Sequence, residues 1–478
     1  MPPISVNLPG RVRSAIVALV LLCAGGATAA PACASSGQFT TFEAPAELLS
    51  SGDAVRVRTL NELQGLGVDS IRMTMYWQNV APSPDAGRAP RFDATDPAAY
   101  AWDAYGHLAD EVRARGMRLL LTVTGPVPRW ATAGAKDHLT NPGPGDYKAF
   151  MTAVGRRFGA DTYAFSIWNE PNLAKFLAPQ LDRAGRAVSP ALYRRLFFAG
   201  YDGLRAAGVR APVLAGETAP VGNVITVAPL RFLRGVLCLN ASYRPAARCA
   251  RLPAAGWATH PYMRPVFPTA APPGPDDVTI GGLGRLGRAL DRAAAAGMVS
   301  RGLPIYATEF GVQSLPNVVA GLPLAMQADY RSVSEYLAYG DPRVASFSQY
   351  LLTDPAPLPG PAISRYVFQM GLYLFKGHHV KPAYDAFRLP LVVRRRGRSV
   401  SLWGLVRAAR ALHSAGTVTI AYLDAHSARW RVLTRPTFGS SGYWTAHGAW
   451  RAGRHWRVRW TAPGGRTYTG PATAAYGF

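Results

Sequence analysis

The 478-residue sequence has few cysteines, few lysines and no long apolar run, and each shortage excludes a class of protein. With only four cysteines the chain is not a disulfide-rich scaffold, and no Cys-x-x-Cys pair is present for a structural zinc site. No His-x-x-x-His pair, Gly-x-Ser-x-Gly elbow or glycine-rich phosphate loop with a lysine occurs either. We therefore expect no metal, no cofactor and no serine-hydrolase chemistry.

The N-terminus has the pattern of a secretory signal peptide. Arg11 and Arg13 precede a short apolar run from Ala15 to Cys23, and small residues with Ala-x-Ala sites follow. That run is too short to span a bilayer, and no later apolar run reaches about 18 residues. We predict a signal peptide at residues 1–34 and a secreted, extracellular protein, associated with the cell wall or free, without a membrane-inserted segment. An uncleaved anchor and a lipoprotein ending at Cys33 are the alternatives.

Two cysteines remain once such a leader is removed. Cys23 lies inside the apolar run and Cys33 precedes the predicted cleavage site, which leaves Cys238 and Cys249. Because exported proteins fold under oxidising conditions, we predict a disulfide between these two. Two free buried thiols are the alternative.

The charge is strongly basic, with 52 lysines and arginines against 28 acidic residues and a net charge of +24. Only five of the basic residues are lysine, and arginine, alanine, glycine and proline are all abundant, which fits the coding bias of a GC-rich genome. The arginines are scattered and form no stripe, and the densest group lies late, at Arg394–Arg396 with Arg398. We expect no nucleic-acid partner, a monomer, and a carbohydrate substrate that includes anionic or cell-wall glycans.

Short apolar runs alternate with helical patterns from about residue 38 to 380, which is typical of successive strand–helix–strand units. The predicted strands are residues 38–42, 70–75, 118–123, 163–168, 212–217, 256–260, 304–308 and 344–351. The predicted helices are residues 54–66, 100–115, 146–158, 190–207, 280–296, 325–339 and 363–375. Eight such units predict an α/β fold, a (β/α)₈ barrel at residues 35–388. A doubly wound open sheet is the alternative, but no glycine-rich turn follows the first strand.

After Leu389 the pattern changes to short strand-like pieces separated by glycine, proline and serine. They occupy residues 391–394, 402–406, 418–423, 430–433, 443–445 and 456–460. We predict an accessory antiparallel β-sandwich domain at residues 389–478.

Two predicted strands end in a glutamate followed by a turn. Glu170 lies in Ser-Ile-Trp-Asn-Glu-Pro-Asn at residues 166–172, and Glu309 lies in Pro-Ile-Tyr-Ala-Thr-Glu-Phe-Gly at residues 304–311. A barrel displays its active site at the C-terminal ends of its strands, so both carboxyls are expected in one cleft. Cleavage of a glycosidic bond needs one carboxylic acid and one carboxylate, and their separation decides between retention and inversion.

These two segments, on the fourth and seventh strands, resemble clan A of the glycoside hydrolases, which includes the cellulase-like family 5 and the xylosidase-like family 39. The resemblance implies a retaining glycosidase with Glu170 as acid/base and Glu309 as nucleophile. It also implies that Asn169, directly before the acid/base, binds the sugar 2-hydroxyl. The third strand lacks the histidine, and the eighth the tryptophan, that are common in family 5.

Further positions agree with the resemblance. Arg72 on the second strand matches an arginine that supports the nucleophile, with a structural salt bridge as the alternative. His260 and Tyr262 resemble the clan's His-x-Tyr, in which the tyrosine bonds to the nucleophile; simple packing is the alternative. All three are expected at the substrate-binding site.

Three other residues follow predicted strands. Trp77 and Trp130 are candidates for sugar-stacking surfaces, with Trp130 favoured, and core packing is the alternative for both. Glu217 ends the fifth strand and is either a substrate contact or structural. We therefore predict a retaining hydrolase of a β-linked glycan, and the alternative is a barrel that binds glycans or cell wall without cleaving them.

Overall fold

The structure is a computed structural model that describes residue 35 and residues 37–478. The predicted signal peptide, Cys23 and Cys33 lie outside these residues. Among the described residues, no helix combines the length and the hydropathy that a membrane span requires.

Eight parallel strands close into a barrel, in which each strand pairs with its sequence neighbours and β1 pairs with β8. The strands are β1 (Phe39–Glu43), β2 (Ser70–Tyr76), β3 (Arg118–Thr124), β4 (Ala164–Ile167), β5 (Val213–Thr218), β6 (Gly256–Thr259), β7 (Ile305–Ala307) and β8 (Val344–Tyr350). The predicted barrel and all eight of its strands are confirmed. The strands form from short, largely buried runs of the chain.

Helices cover the outside of the barrel. They are α1 (Asp53–Leu66), α2 (Trp77–Val80), α3 (Asp103–Ala114), α4 (Pro144–Phe158), α5 (Ser189–Ala206), α6 (Pro229–Val236), α7 (Leu283–Ala295), α8 (Leu324–Tyr339), α9 (Ala362–Arg365) and α10 (Pro382–Arg388). Gly67 ends α1 with φ of +87°, a left-handed conformation that favours glycine, and its amide hydrogen bonds to the last carbonyls of the helix.

The predicted helix at residues 363–375 is wrong beyond its first turn. Only α9 forms there, and the remainder is a loop that contacts the segments following β7 and β8. Its backbone bonds to other segments: the Gln369 carbonyl accepts from the Ser314 amide, and the Leu372 amide donates to the Leu352 carbonyl. The apolar spacing that resembled a helix instead buries Met370 and Leu372 against neighbouring loops.

The two ends of the barrel differ in chemistry. Side chains from alternate strands, including Phe39, Leu120, Leu214 and Tyr306, close the end where the strands begin. The buried charged residues of the strands lie toward the opposite end. The barrel therefore has an apolar base and a polar mouth, as expected for a fold that builds its sites at the C-terminal strand ends.

The C-terminal residues form largely antiparallel sheets, which confirms the predicted β-sandwich class. The strands are β9 (Leu391–Arg396), β10 (Ser399–Leu405), β11 (Gly416–Thr417), β12 (Thr419–Leu423), β13 (Arg431–Thr434), β14 (Thr437–Phe438), β15 (Tyr443–Ala449), β16 (His455–Thr461), β17 (Thr467–Thr469) and β18 (Ala475–Tyr476), with one short helix, α11 (Ala408–Ala411). Two four-stranded sheets, β15-β10-β9-β18 and β13-β12-β16-β17, share an apolar core that contains Trp444, Trp456 and Trp460.

A buried arginine joins these sheets to the barrel. Arg407 donates to the Glu335 carboxylate on α8 at 2.6 Å, to the Thr40 hydroxyl on β1 at 2.6 Å and to the Phe387 carbonyl at 2.7 Å. Burial raises the pKa of Glu335, but the charges of Arg407 and Arg331 outweigh it and lower that pKa to about 2. The barrel and the sheets form one compact unit, so the boundary at residue 389 stays a prediction.

The structure joins Cys238 and Cys249 in a disulfide, as the sequence analysis predicted. It closes a short loop after α6, with a Cα–Cα separation of 6.3 Å. This loop lies between β5 and β6, on the return path to the bottom of the barrel.

Candidate active site

Glutamates lie at or just after the C-terminal ends of four strands. Glu43 ends β1, Glu217 lies near the end of β5, and Glu170 and Glu309 follow β4 and β7 by a few residues. Because parallel strands of a closed barrel end at one rim, residues separated by as many as 266 positions meet there. Arg72 on β2 lies at the centre of this group.

Glu170 and Glu309 face the same small space. His260 lies between them, with its Nδ1 3.1 Å from Glu170 Oε1 and 3.6 Å from Glu309 Oε2. One oxygen of each carboxyl and a ring nitrogen of His260 all lie within 4.8 Å of one another. The side chains of the two glutamates are 14% and 11% exposed, so both reach solvent through the barrel mouth.

Glu309 is held by donors on two sides. Tyr262 donates its hydroxyl to Glu309 Oε1 at 2.5 Å, and Arg72 donates to Oε2 at 2.9 Å. Burial raises the pKa of Glu309, but the charges of His260 and Arg72 and these hydrogen bonds outweigh it, so that its pKa falls below the usual value. The carboxylate is therefore kept ionised and fixed in orientation.

Arg72 joins three carboxylates from different strands. It donates to Glu309, to Glu217 at 2.8 Å and to Glu43, and it is only 2% exposed. Glu217 is fully buried, and its second oxygen accepts from the Thr122 hydroxyl at 3.0 Å. This arrangement favours the structural interpretation of Glu217 and a positioning role for Arg72 over direct contact with a substrate.

His260 is also fully buried. Burial lowers its pKa, but the charge of Glu309 and the hydrogen bond to Glu170 outweigh this effect and raise the pKa above the usual value. Its other ring nitrogen, Nε2, is buried without a hydrogen-bond partner among the described residues and lies 3.9 Å from Glu217 Oε2. His260 therefore acts on the two carboxyls and has no exposed surface for a ligand.

Asn169 is oriented by the same arginine. Its side-chain oxygen accepts from Arg72 at 2.7 Å, and its backbone amide donates to the Thr124 hydroxyl at 3.0 Å. None of the described hydrogen bonds uses the NH₂ group of Asn169, so this group remains available as a donor. The flanking residues Trp168 and Glu170 have φ of +71° and +41°, a conformation that non-glycine residues rarely adopt. Such backbone strain is typical of functional sites.

Glu43 belongs to the site although it was not predicted from the sequence. Its carboxyl is buried and accepts from Arg72 and from the Thr74 hydroxyl at 2.9 Å. Burial raises its pKa to about 7, with the charge of Arg72 opposing and that of Glu309 adding to the shift. The signal was present, because Phe-Thr-Thr-Phe-Glu at residues 39–43 ends in a glutamate, and a glutamate also follows β4 and β7 within three residues.

The two tryptophans lie in an aromatic cluster beside the mouth. Trp77 is fully buried, stacked on Phe150 at 4.9 Å, so it offers no face to a sugar and belongs to the core. Trp130 is partly buried, packs edge-on against Trp77 at 5.8 Å and donates its indole N–H to the Pro82 carbonyl. Its role in substrate binding stays a prediction.

Among the described residues, Glu170, His260 and Glu309 are the group with the spacing of metal ligands. The guanidinium of Arg72 donates to Glu309 and already places a fixed positive charge beside this group. The expectation of a site without metal stays a prediction.

The tyrosine on Glu309 gives a direct test of this geometry. Tyr262→Phe removes the hydroxyl but keeps the ring, which packs parallel to Phe310 at 6.2 Å. A hydrogen bond to the ionised form lowers an acid's pKa, so its loss raises the pKa of Glu309. We expect the acid limb of kcat/KM to move to higher pH and kcat to fall about 10-fold or more. An unchanged acid limb in the variant's pH profile would contradict this account of Glu309.

Comparisons with known proteins agree with this fold. No protein-family model matches the sequence, and no curated protein matches it. Among solved structures, a family 39 glycoside hydrolase from the gut symbiont Bacteroides cellulosilyticus is similar at 15% identity, with a TM-score of 0.54 over 88% of this chain and 81% of that one. A glucosidase from Croceicoccus marinus is similar at 11% identity, with a TM-score of 0.52 over 89% of this chain and 95% of that one. The chain thus shares the (β/α)₈ fold of these glycoside hydrolases.

Proposed function

We propose that this chain is a retaining glycoside hydrolase that cleaves O-glycosidic bonds of a β-linked glycan. The observation that carries the proposal is the pair Glu170 and Glu309, with one oxygen of each within 4.8 Å in a shared, solvent-reaching mouth. A separation of about 5–5.5 Å between the carboxyl groups is typical of retaining enzymes, whereas inverting enzymes need about 6.5–9.5 Å to admit a water.

The environments of the two carboxyls support different roles for them. Glu309 has a lowered pKa and two fixed donors, so it is the ionised nucleophile. Glu170 has His260 as its hydrogen-bonded partner and no contact with Arg72 among the described hydrogen bonds. It is therefore the group placed to exchange a proton with the leaving oxygen and with water.

The reaction has two displacements. In the first, Glu309 bonds to the anomeric carbon as the bond to the leaving oxygen breaks, and that oxygen takes the proton of Glu170. In the second, Glu170 takes a proton from water, the water oxygen bonds to the anomeric carbon, and the Glu309 carboxylate leaves. Two inversions restore the original configuration, and Asn169 donates its NH₂ group to a sugar hydroxyl throughout.

We also propose where the protein works and what it associates with. The protein is exported by the leader at residues 1–34 and works as a monomer outside the cell on a carbohydrate substrate. The basic excess of the sequence, +24 for the full chain including the leader, favours association with anionic cell-wall polymers.

Covalent labelling tests the proposal. A 2-deoxy-2-fluoro glycoside with a good leaving group slows both steps but the second more, so the glycosyl-enzyme accumulates. We expect a mass increase of one sugar on the peptide that contains Glu309, and no label in Glu309→Gln. A label on a different carboxylate would overturn the assignment. If no glycoside of any configuration labels the protein or is hydrolysed, the barrel binds glycans without cleaving them.

A further inference from the structure

A cavity of about 420 Å³, lined in part by Glu43, opens at the rim of the barrel, and the mechanism above does not use it. It lies among the ends of β1, β2 and β8, the turn at residues 46–50 and the start of α3. The polar side chains that line it include Glu43, Ser50, Thr74, Tyr76, Tyr105 and Tyr350. Its size lies within the range of roughly 300–1,000 Å³ of small-molecule sites.

The cavity is joined to the nucleophile through one nitrogen atom. Arg72 Nη1 donates both to Glu43, at the cavity's inner end, and to Glu309. None of Glu170, His260 and Glu309 is among the described residues that line the cavity, so the cavity reaches Glu309 only through Glu43 and Arg72. Because the acid must reach the leaving oxygen, the leaving group lies on the side of Glu170. The cavity lies on the Arg72 side of Glu309, away from the leaving group, where the far end of a sugar ring bonded to Glu309 can reach Glu43.

The lining suits a sugar without an acid group. Its charged members, Glu43 and Asp103, are both acidic, and none of the described lining residues is basic. Carboxylate or sulfate groups on a ligand are recognised by arginine or lysine, and like charges repel. Hydroxyl groups, by contrast, donate well to a carboxylate and exchange hydrogen bonds with tyrosine and threonine.

On the basis of the proposed glycosidase function, we propose that this cavity binds an uncharged sugar, that Glu43 accepts hydrogen bonds from its hydroxyls, and that uronic acids are excluded. Glu43 keeps acceptor capacity for this role, since Thr74 and Arg72 occupy only part of its lone pairs. This selectivity contrasts with the basic excess of the chain. That excess attracts anionic polymers, whereas the cavity accepts only a neutral sugar.

The test compares aryl glycosides of neutral sugars with the corresponding aryl glycuronides on the full chain. We expect kcat/KM to favour the neutral glycoside by about 100-fold or more. In Glu43→Gln, loss of a charged hydrogen bond should raise KM for the neutral glycoside by about 10-fold or more, with kcat changed less, and should narrow the discrimination against the glycuronide. Equal turnover of the two substrates by the unmodified protein would overturn the proposal.

Two further variants separate this role from a structural one. Glu47→Gln changes a glutamate in the turn next to Glu43 that does not line the cavity, and it should leave the substrate preference unchanged. Ala104→Tyr places a ring in the cavity and does not touch Arg72, so it should abolish turnover of neutral glycosides by blocking the site. Unimpaired turnover in Ala104→Tyr would show that the sugar binds elsewhere.

The outcomes also distinguish this proposal from the function on which it rests. Hydrolysis of glycuronides with labelling of Glu309 would uphold the glycosidase and reject the neutral cavity. If no glycoside is hydrolysed, the proposed glycosidase function is rejected. The preference of the cavity is then tested by calorimetry, which measures the binding of the neutral sugar and of the uronic acid to the unmodified chain and to Ala104→Tyr. If the neutral sugar binds more tightly than the uronic acid, and Ala104→Tyr abolishes that binding, the proposed preference of the cavity is supported. Any other order of affinities rejects it.

Discussion

Replacing Glu309 by glutamine is expected to lower kcat on an aryl glycoside by about 10⁴-fold or more, because the covalent intermediate cannot form without the carboxylate. Glutamine keeps the shape of the side chain and an oxygen that accepts from Tyr262 or Arg72. The fold should therefore survive, which far-ultraviolet circular dichroism would verify. Residual activity within about 10-fold of the unmodified protein would exclude Glu309 as the nucleophile.

Glu170→Gln should behave differently from the Glu309 variant. An aryl group that leaves without a proton does not need the acid, so the first step survives and the glycosyl-enzyme accumulates. We expect a burst of released phenol followed by slow turnover, measured by stopped-flow absorbance. As a matched control, Glu111→Gln changes a glutamate on the outer surface of α3, paired with Arg115, and should leave kcat unchanged.

Azide distinguishes the two roles by the product it forms. In Glu170→Ala, azide attacks the glycosyl-enzyme without needing a base and gives a glycosyl azide of retained configuration. In Glu309→Ala, azide takes the place of the nucleophile in a single displacement, and the configuration inverts. Proton NMR of the anomeric centre reads both outcomes, and the reverse assignment of configurations would exchange the roles of the two glutamates.

Arg72→Met is expected to destabilise the protein by about 3–5 kcal/mol, the usual cost of leaving buried charges without their partner. The variant leaves the carboxyls of Glu43, Glu217 and Glu309 together in a buried site without their common cation. Urea denaturation followed by tryptophan fluorescence measures the loss. Arg58→Met, on the exposed side of α1, is the matched control and should change stability by less than about 0.5 kcal/mol.

The cost of Arg72→Met should depend on pH in a defined direction. Without the guanidinium, which lowers the pKa values of Glu43 and Glu309, these pKa values rise in the folded state, so the folded form binds more protons than the unfolded form. Stability of the variant then falls as pH rises, and the difference from the unmodified protein shrinks on acidification. Adding Glu217→Gln removes one buried charge and should recover part of the loss. A cost that is independent of pH would mean that Arg72 contributes packing and not charge.

The strands could be predicted because their signal is local. A run such as Arg-Leu-Leu-Leu-Thr-Val-Thr at residues 118–124 is apolar enough to be buried on both faces, and the structure forms β3 over those residues. At residues 363–375 the local apolar spacing predicts a helix that does not form, because these apolar residues contact loops that lie elsewhere in the sequence. Glu43 was missed although it follows its predicted strand by one residue, as Glu309 does, because the Phe-Thr-Thr-Phe run before it is short and only weakly apolar.

The order of strands and the glutamates that follow β4 and β7 could be predicted from the sequence by itself, since each depends on residues next to one another in the chain. Tertiary structure alone decided which of four rim glutamates share a solvent-reaching mouth, that Arg72 binds three of them, and that His260 lies between Glu170 and Glu309. Closure of the barrel sets the distances between these side chains. Burial and neighbouring charges set their protonation states. Neither is a property of a short stretch of sequence.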